Sequence, residues 1–330
     1  DTEKFITILQ RLRDLGNTVI IVEHDEDIMK AADYIIDIGP EAGTNGGEVV
    51  FEGTYQELLK ADTLTAKYLN GKMEIEVPKN RLKSPNYLKI LGARENNLKN
   101  IDVKFPLNQM TVITGVSGSG KSTLMKDILT QAVQRNLEIF GNKIGDFDEL
   151  VGDISKLEGI ELIDQNPIGK SSRSNPVTYV KAYDDIRNLF ASQKASKVMG
   201  FQPKHFSFNV DGGRCDTCKG DGTITIEMQF MADVDLICED CHGQRFKKEI
   251  LDVKFEGKSI SDVLNLTIDD AIEFFKVHNQ TKIVEKLKPL QDVGLGYVKL
   301  GQSSNTLSGG EAQRIKLAFF LTKGETKNKT

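Results

Sequence analysis

The sequence contains no tryptophan, only eight prolines and four cysteines in 330 residues, and no apolar run that approaches the roughly 20 residues a membrane-spanning helix needs. No membrane partner is therefore expected. There is no cationic, apolar leader, and the first residue is Asp1 rather than Met, inside what already reads as a helix. The expectation is a cytoplasmic protein represented by a piece of a longer chain. A formal charge of −5 argues against a protein that coats nucleic acid uniformly, yet leaves room for local basic patches. Hydrophobic and charged fractions are those of an ordinary soluble protein, long enough for two or three domains. All the cysteines fall between positions 215 and 241, a clustering that favours metal over disulfides in a chain without a secretion signal.

What is present is organised around Gly115-Val116-Ser117-Gly118-Ser119-Gly120-Lys121-Ser122, with the apolar run Met110–Thr114 before it and Thr123–Leu129 after it. The order strand, glycine loop, helix makes a G-x-x-x-x-G-K-[ST] string a credible phosphate loop. Glycines let the backbone wrap a polyphosphate so that N–H groups and the positive helix end face its oxygens. Lys121 would reach the β- and γ-phosphates, and Ser122 would offer its hydroxyl to Mg²⁺.

Upstream, Phe5, Ile8, Leu9, Leu12 and Leu15 share a helical face that stops at Gly16. The β-branched run Thr18–Val22 predicts a buried parallel strand delivering Glu23-His24-Asp25 to its carboxyl end. A histidine there serves either a structural or a catalytic role. Two short strands are expected at Tyr34–Pro40 and Gly47–Gly53, a linker at 70–86, and half-exposed strands at Tyr87–Ile90 and Ile101–Phe105. The segment up to about Gly159 reads as irregular. Next, Leu162-Ile163-Asp164 predicts a strand ending at Gln165, which could hydrogen-bond a metal-bound water or cap a turn.

From Gly169 to Lys204 seven basic residues (Lys170, Arg173, Lys181, Arg187, Lys194, Lys197, Lys204) stand against Asp184 and Asp185. This excess forms either a solvated face or a polyanion-binding surface. Phe201, Phe206 and Phe208 could stack on bases or form a small core beneath the cysteines. Cys215-x-x-Cys218 and Cys238-x-x-Cys241, separated by 19 residues, have the spacing of a four-thiolate zinc site without an open position, hence a structural one. Thr223–Phe230 alternates like one arm of a hairpin closed by the metal, Leu251–Phe255 like a further strand, and Ser259–Leu264 and Ile268–Val277 like helices. Leu307-Ser308-Gly309-Gly310-Glu311 then opens a helix, a second anion-binding helix end.

Phosphate loop, Gln165 and Leu-Ser-Gly-Gly-Glu together resemble an ABC-type ATPase, but the 186 positions from Lys121 to Leu307 exceed what a compact transporter ATPase needs. The runs Asp164–Lys170 with Arg173–Pro176, Phe206–Val210 with Gly212–Cys215, and Asp292–Tyr297 with Leu300–Gln302 are similar to the UvrA family, the damage-recognition subunits of bacterial excinucleases. That resemblance implies an α/β ABC-ATPase (P-loop NTPase) domain carrying an inserted zinc module and a helical signature subdomain, preceded by the tail of another ATPase half. It places that tail at 1–72, a linker at 73–86, the second core at 87–165, the insertion at 166–300 with the zinc module at 205–250, and the signature with its helix at 301–330. By the same resemblance, Gly115, Ser117, Gly118, Ser119, Gly120, Lys121, Ser122 and Thr123 bind ATP and Mg²⁺; Gln165 and His24 sit near the γ-phosphate; Ser308, Gly309 and Gly310 clamp the nucleotide of the other half; and the four cysteines hold Zn²⁺. Double-stranded damaged DNA, UvrB and a second copy are the implied partners, in nucleotide excision repair and the SOS response, with Lys170, Arg173, Arg187, Lys194, Lys197 and Lys204 on or beside the DNA path. The chain ends before the strand that should bring the Mg²⁺-binding Asp and catalytic Glu, so weak nucleotide binding without appreciable hydrolysis is expected of it alone. The segment 230–236 departs from the family's Pro-containing form. A paralogue serving drug self-resistance would keep every one of these motifs. A transporter ATPase fits the zinc module less well, and a zinc-stapled module like that of the J-domain chaperones needs no phosphate loop.

Overall fold

The computed structural model describes residues 2–139, 141–169, 171, 173–226, 228 and 234–327. Two compact units divide the chain: residues 1–41 with 46–162, and residues 42–45 with 163–330.

In the first unit, α1 (Thr2–Asp14) and α2 (Glu26–Ala31) precede an antiparallel pair, β1 (Ile35–Gly39) and β2 (Glu48–Gly53). Asp25 caps α2 by accepting the N–H groups of Asp27 and Ile28. The short helices α3 (Tyr55–Leu58) and α4 (Leu64–Leu69) follow, each entered through a threonine. Then β3 (Tyr87–Ala93) and β4 (Ile101–Pro106) form a sheet completed by β5 (Glu149–Gly152), in the order β4-β3-β5 with both pairings antiparallel. The alternation read at Tyr87–Ile90 places Leu88 and Ile90 on one face, against the π-wound turn Thr123–Leu129 and α5 (Thr130–Asn136) that continues it. Leu124, Ile128, Ala132 and Val133 complete this core. Strand β5 lies in a segment whose sequence shows no clear period.

Three apolar runs predicted as strands are not strands. Residues 18–22, 110–114 and 162–164 belong to no sheet, and Ile20 and Val22 are 87% and 96% exposed. A parallel strand buried on both faces exists only between neighbours that supply its hydrogen bonds, and no such neighbour pairs with these runs among the described residues.

The second unit is mostly helical. It runs through α6 (Pro176–Tyr179), α7 (Tyr183–Ala191) and α8 (Lys194–Met199) to a two-stranded hairpin, β6 (Thr223–Ile226) and β7 (Val234–Ile237). Residues 227, 229 and 230 of the predicted strand Thr223–Phe230, and residues 230–233 of the departing segment 230–236, lie outside the described residues. Helices α9 (Lys248–Leu251), α10 (Ile260–Asn265), α11 (Ile268–Val277), α12 (Thr281–Asp292) and α13 (Gly309–Lys327) follow. Instead of a strand at 251–255, α9 ends at Leu251 and Phe255 bridges Lys258 across a tight turn. Glu256 and Gly257 both take positive φ as the central pair of that turn, and since α9 and its C-cap occupy Lys248–Asp252, the pairing is confined to the Phe255–Lys258 bridge. Phe206 and Phe208 are wholly buried with Phe190, Phe246 and Phe275, and Phe201 packs against them. These rings form core rather than a stacking platform.

Candidate functional site

The phosphate loop keeps the conformation its glycines allow. Gly115, Gly118 and Gly120 all have positive φ. A Cβ on Gly120 would lie 2.8 Å from Leu98 and 2.9 Å from the Asn97 side chain, so any larger residue would force the loop off its support. Lys121 Nζ donates to the carbonyls of Gly115 and Val116 at 2.7 and 2.8 Å, bending over its own loop. An ammonium so placed can exchange those carbonyls for phosphate oxygens. Asn97 donates its side-chain amide to the Gly118 carbonyl at 2.8 Å, and Asn96 donates to the Thr123 hydroxyl at 3.3 Å. Reasoning from sequence missed this pair. The available signal was Asn96 itself, a residue type that tolerates the left-handed conformation it adopts. A glycine cradle, a lysine ammonium folded over it and a following helix fit Mg-ATP. When bound, the ion would supply charge to the phosphates through Ser122.

His24 is exposed and lines a cleft of about 690 Å³ with Arg13, Ile21, Glu23, Ile28 and Tyr34.

In the second unit, Ser308, Gly309 and Gly310 are exposed at the start of α13. Ser308 and Glu311 cap that start reciprocally: Ser308 N–H donates to Glu311 Oε2 at 2.7 Å and Glu311 N–H to Ser308 Oγ at 3.2 Å. Tyr297 donates its hydroxyl to Glu311 Oε1 at 2.7 Å, and Arg314 reaches the Tyr297 oxygen and the Gly294 carbonyl. Burial alone would raise Glu311, but the hydrogen bonds from Tyr297 and Ser308 and the Arg314 charge hold it below the usual carboxylate range. Burial and the Glu311 carboxylate push Tyr297 up. Gln165 is exposed and lies beside Gly309.

The four thiols converge. Cys215, Cys218, Cys238 and Cys241 are buried, unpaired by disulfides, and their sulfurs all lie within 4.8 Å of one another. The Cys215–Cys238 and Cys218–Cys241 separations are 3.9 and 3.6 Å. A tetrahedron with zinc–sulfur bonds of about 2.3 Å has edges of about 3.8 Å, which these two separations match. Both Cys-x-x-Cys turns end alike: Lys219 and His242 are left-handed and are followed by positive-φ Gly220 and Gly243. Gly222 N–H donates to Cys218 Sγ at 3.3 Å, and Gly222 O accepts from Cys238 N–H at 3.0 Å where the hairpin leaves the cage. Burial raises Cys218 and pushes Cys241 up to about 12, whereas the N–H groups of Cys241 and Asp240 lower Cys238. A divalent ion displaces such protons, and the residues fit Zn²⁺.

The basic residues separate into two groups. Arg173 pairs with Asp221 beside the cage, Nε to Oδ1 at 3.2 Å. Arg187 pairs with Asp184 and sits 5.7 Å from the centre of the Tyr183 ring. Lys194, Lys197 and Lys204 are exposed and form no ion pair among the described residues. The first two share α8 with exposed Val198 and Met199. Lys170 lies outside the described residues.

Residues 98–207 match the family model described as ABC transporter, although no helix among the described residues is long and apolar enough to cross a membrane. UvrABC system protein A of Clostridium perfringens is 51% identical over 99% of this chain and 35% of its own length, and that of Bacillus subtilis is 52% identical over 99% and 34%. The crystal structure of UvrA2 from Deinococcus radiodurans superposes with a TM-score of 0.91 at 42% identity, covering 98% of this chain and 38% of that one. With an ABC-ATPase fold and a sequence matched almost end to end, the chain belongs to the UvrABC system protein A family and spans about a third of the length of the relatives it matches.

Proposed function

We propose that this chain is the part of a DNA-damage-recognition ATPase that holds one phosphate loop, one signature helix end and a structural zinc between them. The observation that carries the reading is the four-thiol cage of zinc dimensions, inserted between Lys121 and Ser308 of an ABC ATPase. In this reading Gly115–Thr123 bind Mg-ATP, Lys121 meets the β- and γ-phosphates, Ser122 holds Mg²⁺, and Gln165 senses the γ-phosphate. His24 serves the other nucleotide site, whose far lip is Ser308, Gly309 and Gly310, presented at a positive helix end. Residues 1–72 are the tail of the first ATPase half, 73–86 the linker, 87–165 the second core, 166–300 the zinc-bearing insertion and 301–330 the signature segment. The whole protein acts as a homodimer that binds damaged duplex DNA, loads UvrB and turns over ATP. Lys194, Lys197 and Lys204 are the favoured DNA contacts, since Arg173 and Arg187 are already held within their own unit.

The test is DNA binding across a salt series, on lesion-bearing and undamaged duplexes, with Lys194, Lys197 and Lys204 intact or replaced by alanine. Salt-sensitive binding lost on replacement supports the reading; indifference to the three lysines removes the DNA path from α8. A second reading, a paralogue serving drug self-resistance, would keep the phosphate loop, the signature and the four cysteines alike. Rescue of ultraviolet survival in cells lacking the repair protein separates the two.

A further inference from the structure

The segment that carries Gln165 is stitched to the segment that forms the signature. Lys316 donates from Nζ to the Asp164 carboxylate and also to the Asp164 carbonyl, the latter at 3.2 Å. Two helical turns earlier on the same face of α13, Gly309 sits so near Gln165 that a Cβ there would lie 3.4 Å from the Gln165 Cβ. Ahead of the helix, Ser304 donates its N–H to the Ser174 carbonyl at 2.8 Å and its hydroxyl to the Ser171 carbonyl at 3.2 Å. Val177 N–H closes the seam on the Leu300 carbonyl at 3.2 Å.

Within this seam Lys316 is the costly member. Its side chain is only 13% exposed, and a largely desolvated ammonium is held at a helix flank only where a partner compensates it. An apolar residue would fill the same space. What the ammonium adds is a grip on both the side chain and the backbone of one residue, Asp164, whose carboxylate also takes the Asn166 N–H at 3.3 Å and so orders the turn around Gln165.

We propose that Lys316 is a positioning residue that fastens the Gln165 loop to the signature helix, so that Gln165 and Ser308–Gly310 move as one body. The inference rests on the nucleotide-binding reading above. There, Gln165 attends the nucleotide on the phosphate loop of its own half, whereas Ser308–Gly310 attend the nucleotide of the opposite half. One body bearing both makes the occupancy of either site felt at the other.

Amide hydrogen exchange on the 330-residue chain tests this. In Lys316→Met and in Asp164→Asn, exchange should rise about tenfold in 164–169 and in 308–312 together, with α11 and α12 still protected. Lys316→Arg should restore the slow rate in both. Acceleration confined to the substituted segment, or none, overturns the proposal; should Lys316→Met not fold, Asp164→Asn decides. Added Mg-ATP gives a separate reading. Protection of 115–123 reports on the phosphate loop alone, and its absence would sink the nucleotide reading without touching the exchange comparison. Where that protection appears, it should extend to 308–312 in the parent chain and not in Lys316→Met, and an identical extension in both overturns the coupling.

Discussion

The side-chain amide of Asn97 donates to the carbonyl of Gly118 at 2.8 Å, across 21 residues of sequence. That bond occupies the Gly118 carbonyl and leaves the loop's N–H groups for an anion. Replacing Asn97 by Asp sets a carboxylate against the carbonyl and adds a negative charge beside the phosphate site. Affinity for Mg-ATP should fall about tenfold or more, consistent with the roughly 1–3 kcal/mol lost when a hydrogen-bond partner is removed. Isothermal titration of the parent, Asn97→Asp and Lys121→Ala checks it; equal affinity in parent and Asn97→Asp refutes it.

Removing the metal should unfold the hairpin end of the second unit while sparing the sheet of the first. Four buried thiols without an ion keep neither their spacing nor the hairpin that begins at Gly222. A chelator, or Cys218→Ser, should release one zinc per chain and abolish protection in β6 and β7, with β3 and β4 unchanged. Retention of β6–β7 protection after complete zinc loss would contradict the structural role.

Glu311 predicts a pH dependence at the signature helix. Its folded pKa lies below the ordinary value of about 4.3, so its contribution is in full force above that value and fades as pH falls through the lower folded one. Tyr297→Phe removes one of the bonds that favour the charged carboxylate and should therefore move the loss of protection at 308–312 to higher pH. Exchange rates between pH 3 and 6 measure it, and an unshifted acid limb would show that Tyr297 does not hold Glu311.

Arg173 and Lys197 should behave oppositely although both lie in the same basic stretch. Arg173→Ala breaks a half-buried ion pair at the cage and should cost about 1–2 kcal/mol of stability, between the values for exposed and buried pairs. Lys197→Ala should leave stability unchanged and flatten the salt dependence of DNA binding by about one phosphate contact, a slope change of roughly 0.9. Urea unfolding and a salt titration of both variants distinguish the roles.

The short-range parts of this architecture are written in the sequence. Gly115–Ser122 and the paired Cys-x-x-Cys turns are local devices, recognisable from their own residues, and β1 to β4 follow from alternation and turns. Residues 18–22 show the opposite case. Their composition reports a preference for burial between neighbours, which composition cannot supply. The phenylalanines near 206 were ambiguous for a related reason, since a ring that stacks on a base and a ring that fills a core look alike until the packing is known. Asn97 escaped notice because its partner is distant in sequence, and the clamp between Lys316 and Asp164 spans 152 positions.

The exposed run Thr18-Val19-Ile20-Ile21-Val22 bears on handling the chain in solution. Five uncharged residues, four of them valine or isoleucine, paired in no sheet among the described residues, present an open template to any other extended segment. The chain should therefore self-associate in a concentration-dependent way through this run, and Ile20→Lys should keep it dispersed without disturbing either core. A stretch that reads as interior becomes an adhesive edge, so light scattering against chain concentration, compared between the parent and Ile20→Lys, should follow these five residues.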